Sequence, residues 1–334
     1  MTVLDVAQRA GVSPGTVSKA LNGRGQLRPE TRQRVVAAAR ELGFHVNMLA
    51  RSLLEGRTYT VGVLTTDSFG RFTIPVMLGA EDALGAGQMS VLLCDGRGDR
   101  IREQHYVRTL LGRRVDGIIV TARTTDPRPS LGRDLPVPVV YARACSDDPD
   151  DLSLLHDDQQ GAALAIEHLF ATGRRRIAHI TGPQRHLAAR DRAEGAAKAI
   201  LAGGETMVLD QPLMGEWTER WGREAATILM RSGEPFDGIF CGSDQIARGV
   251  ADALREAGRR VPEEVGIVGV DNWDVMVEGC RPPLTTIDLN LQELGHTAAT
   301  KLLKAIEGHH QLERGVQLSP CRLVTRRSTE MTGA

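Results

Sequence analysis

From Tyr59 onward the chain alternates short apolar runs with helix-like stretches, and this alternation constrains the fold more than any other feature. YTVGVLTT, MSVLLC, DGIIVTA and PVVYAR are rich in Val and Ile and bounded by Gly, Pro or Asp, and stretches such as IPVMLGAEDALGAG and REQHYVRTLLGRR separate them. Runs this uniformly apolar have no polar face to give to water, so they belong to a parallel sheet covered by helices on both sides. The pattern then recurs in RIAHITG, FDGIFCGSD and EVGIVGVDN, again with helical segments between. VDGIIV at 115–120 and FDGIFC at 236–241 match closely at a distance of 121 residues, which predicts two subdomains of one type. LSLLHDDQQGAALAIEHLFATG supplies a crossover between them, with Asp157 or Asp158 near the helix start, and the tail from Leu284 adds a strand, a helix and a closing strand. Two such lobes form a clam, and the cleft beyond the carboxyl ends of the strands is the expected ligand site.

The first 22 residues read differently. Thr2 and Asp5 have capping-box spacing, Leu4, Val6, Ala7 and Ala10 give one apolar side, and Gly11 breaks the helix where positive φ is needed. Ser13 as N-cap and Pro14 at N1 restart a second helix at once, with Val17 and Leu21 facing inward. Thr16, Ser18, Lys19 and Asn22 are left outside, the kind of face that can enter a DNA major groove, although a plain helical hairpin has the same pattern. GRGQLR is a basic loop, and PETRQRVVAAARELG predicts a third helix with Val35, Ala39 and Leu42 on one face and Gly43 as its stop. Residues 47–57, with Met48, Leu49, Leu53 and Leu54, read either as an amphipathic linker or as a hinge helix that orders on DNA and wedges a leucine between base pairs.

Charge distribution favours the DNA reading. Net charge is only −1, yet residues 1–57 carry nine Arg or Lys against four Asp or Glu, while residues 58–334 carry 32 against 38. A basic end on an acidic body is the asymmetry of a DNA-binding arm on a separate sensor. The five cysteines are scattered and without a C-x-x-C pair, which fits a reducing cytosol rather than a disulfide framework or structural zinc site. Neither a leader pattern nor an apolar run of 18 residues is present, so a cytoplasmic protein with no membrane partner is expected. His309 and His310 read as solvated surface after a helix end at Gly308, and neither a metal nor a cofactor is expected.

DVAQRAGVSPGTVSKALNG, TRQRVVAAARELGF, NMLARSL, VDGIIV, EHLFATGRRRIAHITGP, SDQIARGVADALREAGRRVPEEVGIVGVDN and PPLTTI occur in this order. Through them the sequence resembles the lactose repressor (LacI-type) family of bacterial transcription regulators over essentially its whole length. The resemblance implies an all-α helix-turn-helix headpiece at 1–46, a hinge helix or linker at 47–57 and a periplasmic-binding-protein-like α/β body at 58–331. The body would consist of two doubly wound parallel-sheet lobes, one at about 58–156 and 286–312, the other at about 157–285 and 313–331.

It further implies a homodimer on a near-palindromic, double-stranded operator. Pro14, Gly15 and Lys19 match base-edge positions, and two of the three have no polar side chain, so readout would lean on Lys19 with close backbone approach at Gly15. Ser13, Thr16, Ser18 and Asn22 match phosphate contacts, and Asn47, Ala50 and Leu53 match the hinge, with Leu53 as wedge. Val46 and Arg28 depart from the family's usual proline and capping serine. In the body, Arg192, Trp217, Ser243 and Asp271 match small-molecule contacts, and Asp67, Arg71 and Phe72 the opposite wall, with Arg143 at a place often held by Asp. A guanidinium fork, a carboxylate and an indole suit a sugar or sugar derivative. The expected function is a repressor released from its operator by that effector. A solute-binding protein shares the bilobed body but not the helix-turn-helix, and an enzyme is disfavoured because no phosphate-loop or dinucleotide motif occurs. No apolar heptads follow Arg327, so a dimer is expected rather than a zipper-linked tetramer.

Overall fold

The structure, a computed structural model, describes residues 1–21, 26–44, 56–85 and 89–330. It divides into two compact units, Met1–Tyr59 and Thr60–Ala334. In the first, α1 (Val3–Ala10), α2 (Pro14–Leu21) and α3 (Pro29–Glu41) enclose a core of Val6, Ala7, Ala10, Val17, Ala20, Val35, Ala38 and Ala39. The Thr2–Asp5 capping box is formed, and Gly11 ends α1 at φ 64°. Leu4, expected on the apolar side of α1, is 66% exposed, because Val6, Ala7 and Ala10 alone fill the small space between three short helices. Gly43 takes φ 59° just past α3.

The larger unit holds two six-stranded sheets. The first contains β1 (Thr60–Thr65), β2 (Ser90–Asp95), β3 (Gly117–Thr121), β5 (Val139–Ala142), β7 (Leu152–His156) and β13 (Gly315–Ser319), in the order β13-β7-β5-β3-β1-β2, all parallel. The second contains β8 (Ile177–Thr181), β9 (Leu213–Met214), β10 (Gly238–Cys241), β11 (Gly266–Val270), β12 (Thr285–Asp288) and β14 (Arg322–Val324). Their order is β14-β12-β11-β10-β8-β9, with only β14 antiparallel. A short parallel pair, β4 (Pro127–Arg128) and β6 (Cys145–Ser146), sits beside the first sheet. The repeated hexapeptides fall on β3 and β10, an interior strand of each sheet, as the internal match implied.

Helices cover both faces of each sheet. In the first lobe α4 (Thr73–Ala83) packs on α11 (Leu291–Ile306), with α5 (Arg100–Gly112) against β1 and β2. In the second, α6 (Asp158–Ala171) pairs with α7 (Leu187–Ala202), and α8 (Glu219–Arg231) with α9 (Asp244–Glu256), while α10 (Asp274–Val277) is a single turn. The α4–α11 contact runs through glycine. A Cβ on Gly79 would lie 1.7 Å from the Gln292 carbonyl oxygen, and one on Gly295 2.0 Å from that of Val76. The chain passes between lobes three times, at β7 to α6, β12 to α11 and β13 to β14. Two expected lobe limits move accordingly. Residues 286–288 complete β12 of the second sheet, and 315–319 form β13 at the edge of the first, because β13 pairs with β7, some 160 residues earlier. No helix of the described residues is long and apolar enough to cross a membrane.

Candidate functional site

Two surfaces carry the residues singled out from the sequence. On α2, Ser13, Pro14, Gly15, Ser18 and Lys19 are exposed and Thr16 is half-buried, while Val17 and Ala20 hold the opposite face in the head core. Ser13 Oγ accepts from the Thr16 amide at 3.2 Å and lies 2.9 Å from Thr16 Oγ1, so its hydroxyl fixes the helix start as well as facing outward. Pro14 and Gly15 follow directly, leaving the amino end of α2 with little side-chain bulk. Asn22, Asn47, Ala50 and Leu53 lie outside the described residues.

The second surface is a cavity of about 400 Å³ between the lobes, walled by segments that follow the carboxyl ends of β1, β3, β5, β8, β10 and β11. Of the eight effector-contact residues expected, Arg71, Phe72, Arg143, Arg192, Trp217, Ser243 and Asp271 line it. Asp67 does not. Its carboxylate Oδ2 accepts from the amides of Phe72 at 2.8 Å and Thr73 at 3.1 Å, so it holds the start of α4 and orients Phe72, which does line the cavity.

Several bonds join the lobes across this cavity. Arg71, from the loop after β1, donates to Gln245 Oε1 at 3.0 Å and pairs with Asp271 of the second lobe. Its guanidinium lies 4.8 Å from the Phe72 ring centroid and 4.3 Å from that of Trp273. Asp126, after β3, accepts from the Leu187 amide at 2.6 Å, placing a carboxylate on the amino end of α7.

Two further arginines sit deeper. Arg192 on α7 is 4% exposed; its Nε donates to Asp158 at 2.7 Å and its Nη1 to the Gly242 carbonyl at 2.5 Å. Burial alone would raise the Asp158 carboxyl, but the charges of Arg192 and His156 outweigh it and hold the group well below the usual range. Arg143, after β5, is equally buried and has φ 57°. Its Nη1 donates to the Ala122 carbonyl at 2.7 Å, and its guanidinium stacks 3.4 Å from the Phe72 centroid. Burial, reinforced by Arg192 and Arg71 against the pull of Asp271 and Asp158, pushes Arg143 down to about 9. Trp217 forms another wall, its Nε1 donating to His186 Nδ1 at 2.8 Å, which assigns the lone pair of that imidazole to Nδ1. Ser243 caps α9 through a 3.3 Å bond from the Ile246 amide, so part of its hydroxyl is engaged.

Gln245, Asp126 and His186 escaped the sequence reading although they line the cavity. Each follows the end of a recognisable strand, β10, β3 or β8, so the carboxyl-end rule applied loop by loop would have found them. In the sequence Asp158 marks only a helix start; its role as the counter-charge of Arg192 depends on a partner 34 residues away. Among the described residues no group of three His, Cys, Asp or Glu could hold a metal ion, and His309 and His310 are exposed.

The fold has counterparts in known proteins. A family model for bacterial regulatory proteins of the lacI family matches residues 2–47, and one for a periplasmic binding protein-like domain matches 166–329. The HTH-type transcriptional regulator CelR of Thermobifida fusca is 34% identical over 313 residues, 91% of each chain. A solved transcriptional regulator CelR–cellobiose complex superposes with TM-score 0.66 at 30% identity, covering 98% of this chain and 99% of that one. The lac repressor dimer bound to operator and the anti-inducer ONPF superposes with TM-score 0.72 at 28% identity and the same coverage.

Proposed function

This chain belongs to the lacI family of bacterial regulatory proteins, and from that premise we propose that it is a cytoplasmic, homodimeric repressor released from a palindromic operator by a small carbohydrate-like effector. The observation that carries the effector half is the cavity whose walls come from both lobes and whose rim is bridged by Arg71 and Asp126. A ligand there adds its own contacts to both lobes and so biases how they close; a coupling of about 1–3 kcal/mol to the operator is the usual scale. Cellobiose in the CelR complex supports a carbohydrate class. Arg71, Phe72, Arg143, Arg192, Trp217, Ser243 and Asp271 are the contacts assigned to it.

On the DNA side, Lys19 reads a base edge in the major groove with the backbone at Gly15 approaching closely, while Ser13, Thr16 and Ser18 hold phosphates. Asn22 and the hinge residues Asn47, Ala50 and Leu53 complete the set assigned from the sequence. The relatives named above are transcription regulators, and no catalytic step is proposed.

The test is selection of duplexes from a randomised pool by the full-length protein, followed by anisotropy titration of the winners across salt with candidate sugars present and absent. A two-fold symmetric consensus, steep salt dependence and release by a sugar are expected. Winners without symmetry, or complexes insensitive to salt, would overturn the operator reading.

A further inference from the structure

The cavity between the lobes is lined by more cationic than anionic side chains. Its charged lining comprises Arg71, Arg123, Arg143, Arg185 and Arg192 against Asp126, Glu216 and Asp271, an excess of positive charge before any pairing is considered. Arg192 is neutralised by Asp158 just behind the wall, so pairing concentrates the buried excess on Arg143. Asp271 is taken by Arg71, Asp126 by the Leu187 amide, and Glu216 lies 3.5 Å from Arg185 at the exposed rim. Arg143 makes no ion pair among the described residues, though it is 96% buried, and its Nε is enclosed without a hydrogen-bond partner. The Nη2 atoms of Arg143 and Arg192 also lack hydrogen bonds among the described residues, in two guanidiniums that line one cavity.

Guanidinium nitrogens only donate, so what completes them must accept. Water or a neutral hydroxyl can do so, but neither compensates a buried charge; an oxyanion does both, in the bidentate geometry that guanidinium favours. Thr125 Oγ1, buried and unpartnered, borders the same space and can donate as well. The remainder of the cavity is not charged in this way. Trp217 offers an indole face and Ser243 and Gln245 offer neutral polar groups, which suits a polyhydroxylated body.

We propose that the ligand of this cavity is anionic, a polyhydroxylated compound whose carboxylate or phosphate lodges at the Arg143 and Arg192 guanidiniums while its body lies against Trp217. This rests on the reading of the cavity as the effector site.

The experiment measures the melting temperature of the full-length protein with inorganic phosphate, D-galacturonate and glucose 6-phosphate, each against sodium chloride at equal ionic strength and against galactose and glucose. The expected result is saturable protection by phosphate of about 3 °C at tenfold above its dissociation constant. The anionic sugars should protect at lower concentration than phosphate and the neutral ones should not protect. Stronger protection by galacturonate than by glucose 6-phosphate would assign the carboxylate, and the reverse order the phosphate. Arg143→Gln should weaken the response at least tenfold, and Arg143→Lys should retain part of it. Phosphate no better than chloride, protection by neutral sugars alone, or an undiminished response in Arg143→Gln would overturn the proposal. Operator release is scored separately. A neutral sugar that releases operator while no anion binds upholds the regulator reading and sinks the anion; an anion bound through Arg143 that leaves the operator complex intact does the opposite.

Discussion

Replacing Arg71 with alanine should open the clam. Arg71 reaches from the first lobe to Asp271 and Gln245 of the second, and the side chains of Arg71 and Asp271 are 14% and 6% exposed. Breaking a buried pair by removing one partner costs about 3–5 kcal/mol when the orphaned charge stays buried. Here the orphan has an escape, since separation of the lobes lets water reach Asp271. The expected result is therefore a shift of the closed-to-open balance by about 3 kcal/mol, roughly 150-fold, larger than the change in global unfolding free energy. Loss of the charge-assisted bond to Gln245 and of the stack on Trp273 acts in the same direction. Small-angle scattering of the effector-free protein would register a larger radius of gyration, and Trp273 emission would shift to the red. Asp271→Asn and the double variant complete a cycle whose coupling energy should exceed about 1.5 kcal/mol. An unchanged radius together with additive single effects would refute the idea that this bond holds the lobes together.

Three other outcomes are expected. Lys19→Ala should weaken the selected operator by about 1–3 kcal/mol and relax preference at one base position, while weakening random DNA less; equal losses on both, by anisotropy, would demote Lys19 to a phosphate contact. Burial, with Asp271 adding to it, pushes the Asp244 carboxyl up to about 8, so the folded chain holds a proton that the unfolded chain has already lost. Between about pH 4 and 8 stability contributed by that group must fall as pH rises, and Asp244→Asn should flatten the slope in urea unfolding; an unaltered slope would count against it. Gly295→Ala puts a methyl carbon 2.0 Å from the Val76 carbonyl oxygen and should cost about 3 kcal/mol as α4 and α11 are forced apart, with a loss under about 0.5 kcal/mol in chemical denaturation contradicting the packing argument.

Much of this architecture is legible in the sequence because its signals are local. Val and Ile runs bounded by turns mark β1, β3, β8, β10 and β11, and capping residues mark α1, α6 and α9. What escaped depends on partners remote in the chain. GVQLS alternates like an edge strand, but nothing within it says that it joins β7 of the first sheet rather than its neighbour RLV in the second. Asp67 carries the same carboxylate whether it meets a ligand or two amides, and only the turn into α4 decides. Arg192, Trp217 and Asp271, which the sequence offers only through the family resemblance, all line the cavity. Asp126 and Gln245 matter through bonds to the other lobe, which no window of sequence contains.

The three passages of the chain between lobes also bear on how the protein is made. Neither sheet is a continuous stretch; the first waits for residues 315–319 to cover β7, and the second for residues 322–324 to pair with β12. During synthesis both sheets stand with an open edge until nearly the whole body has left the ribosome, whereas the three-helix head needs only its own first 44 residues. The non-local pairings fold late and expose strand edges in the interval. A chain cut short of residue 315 thus lacks an outer strand of each sheet, while every residue of the head core is already present.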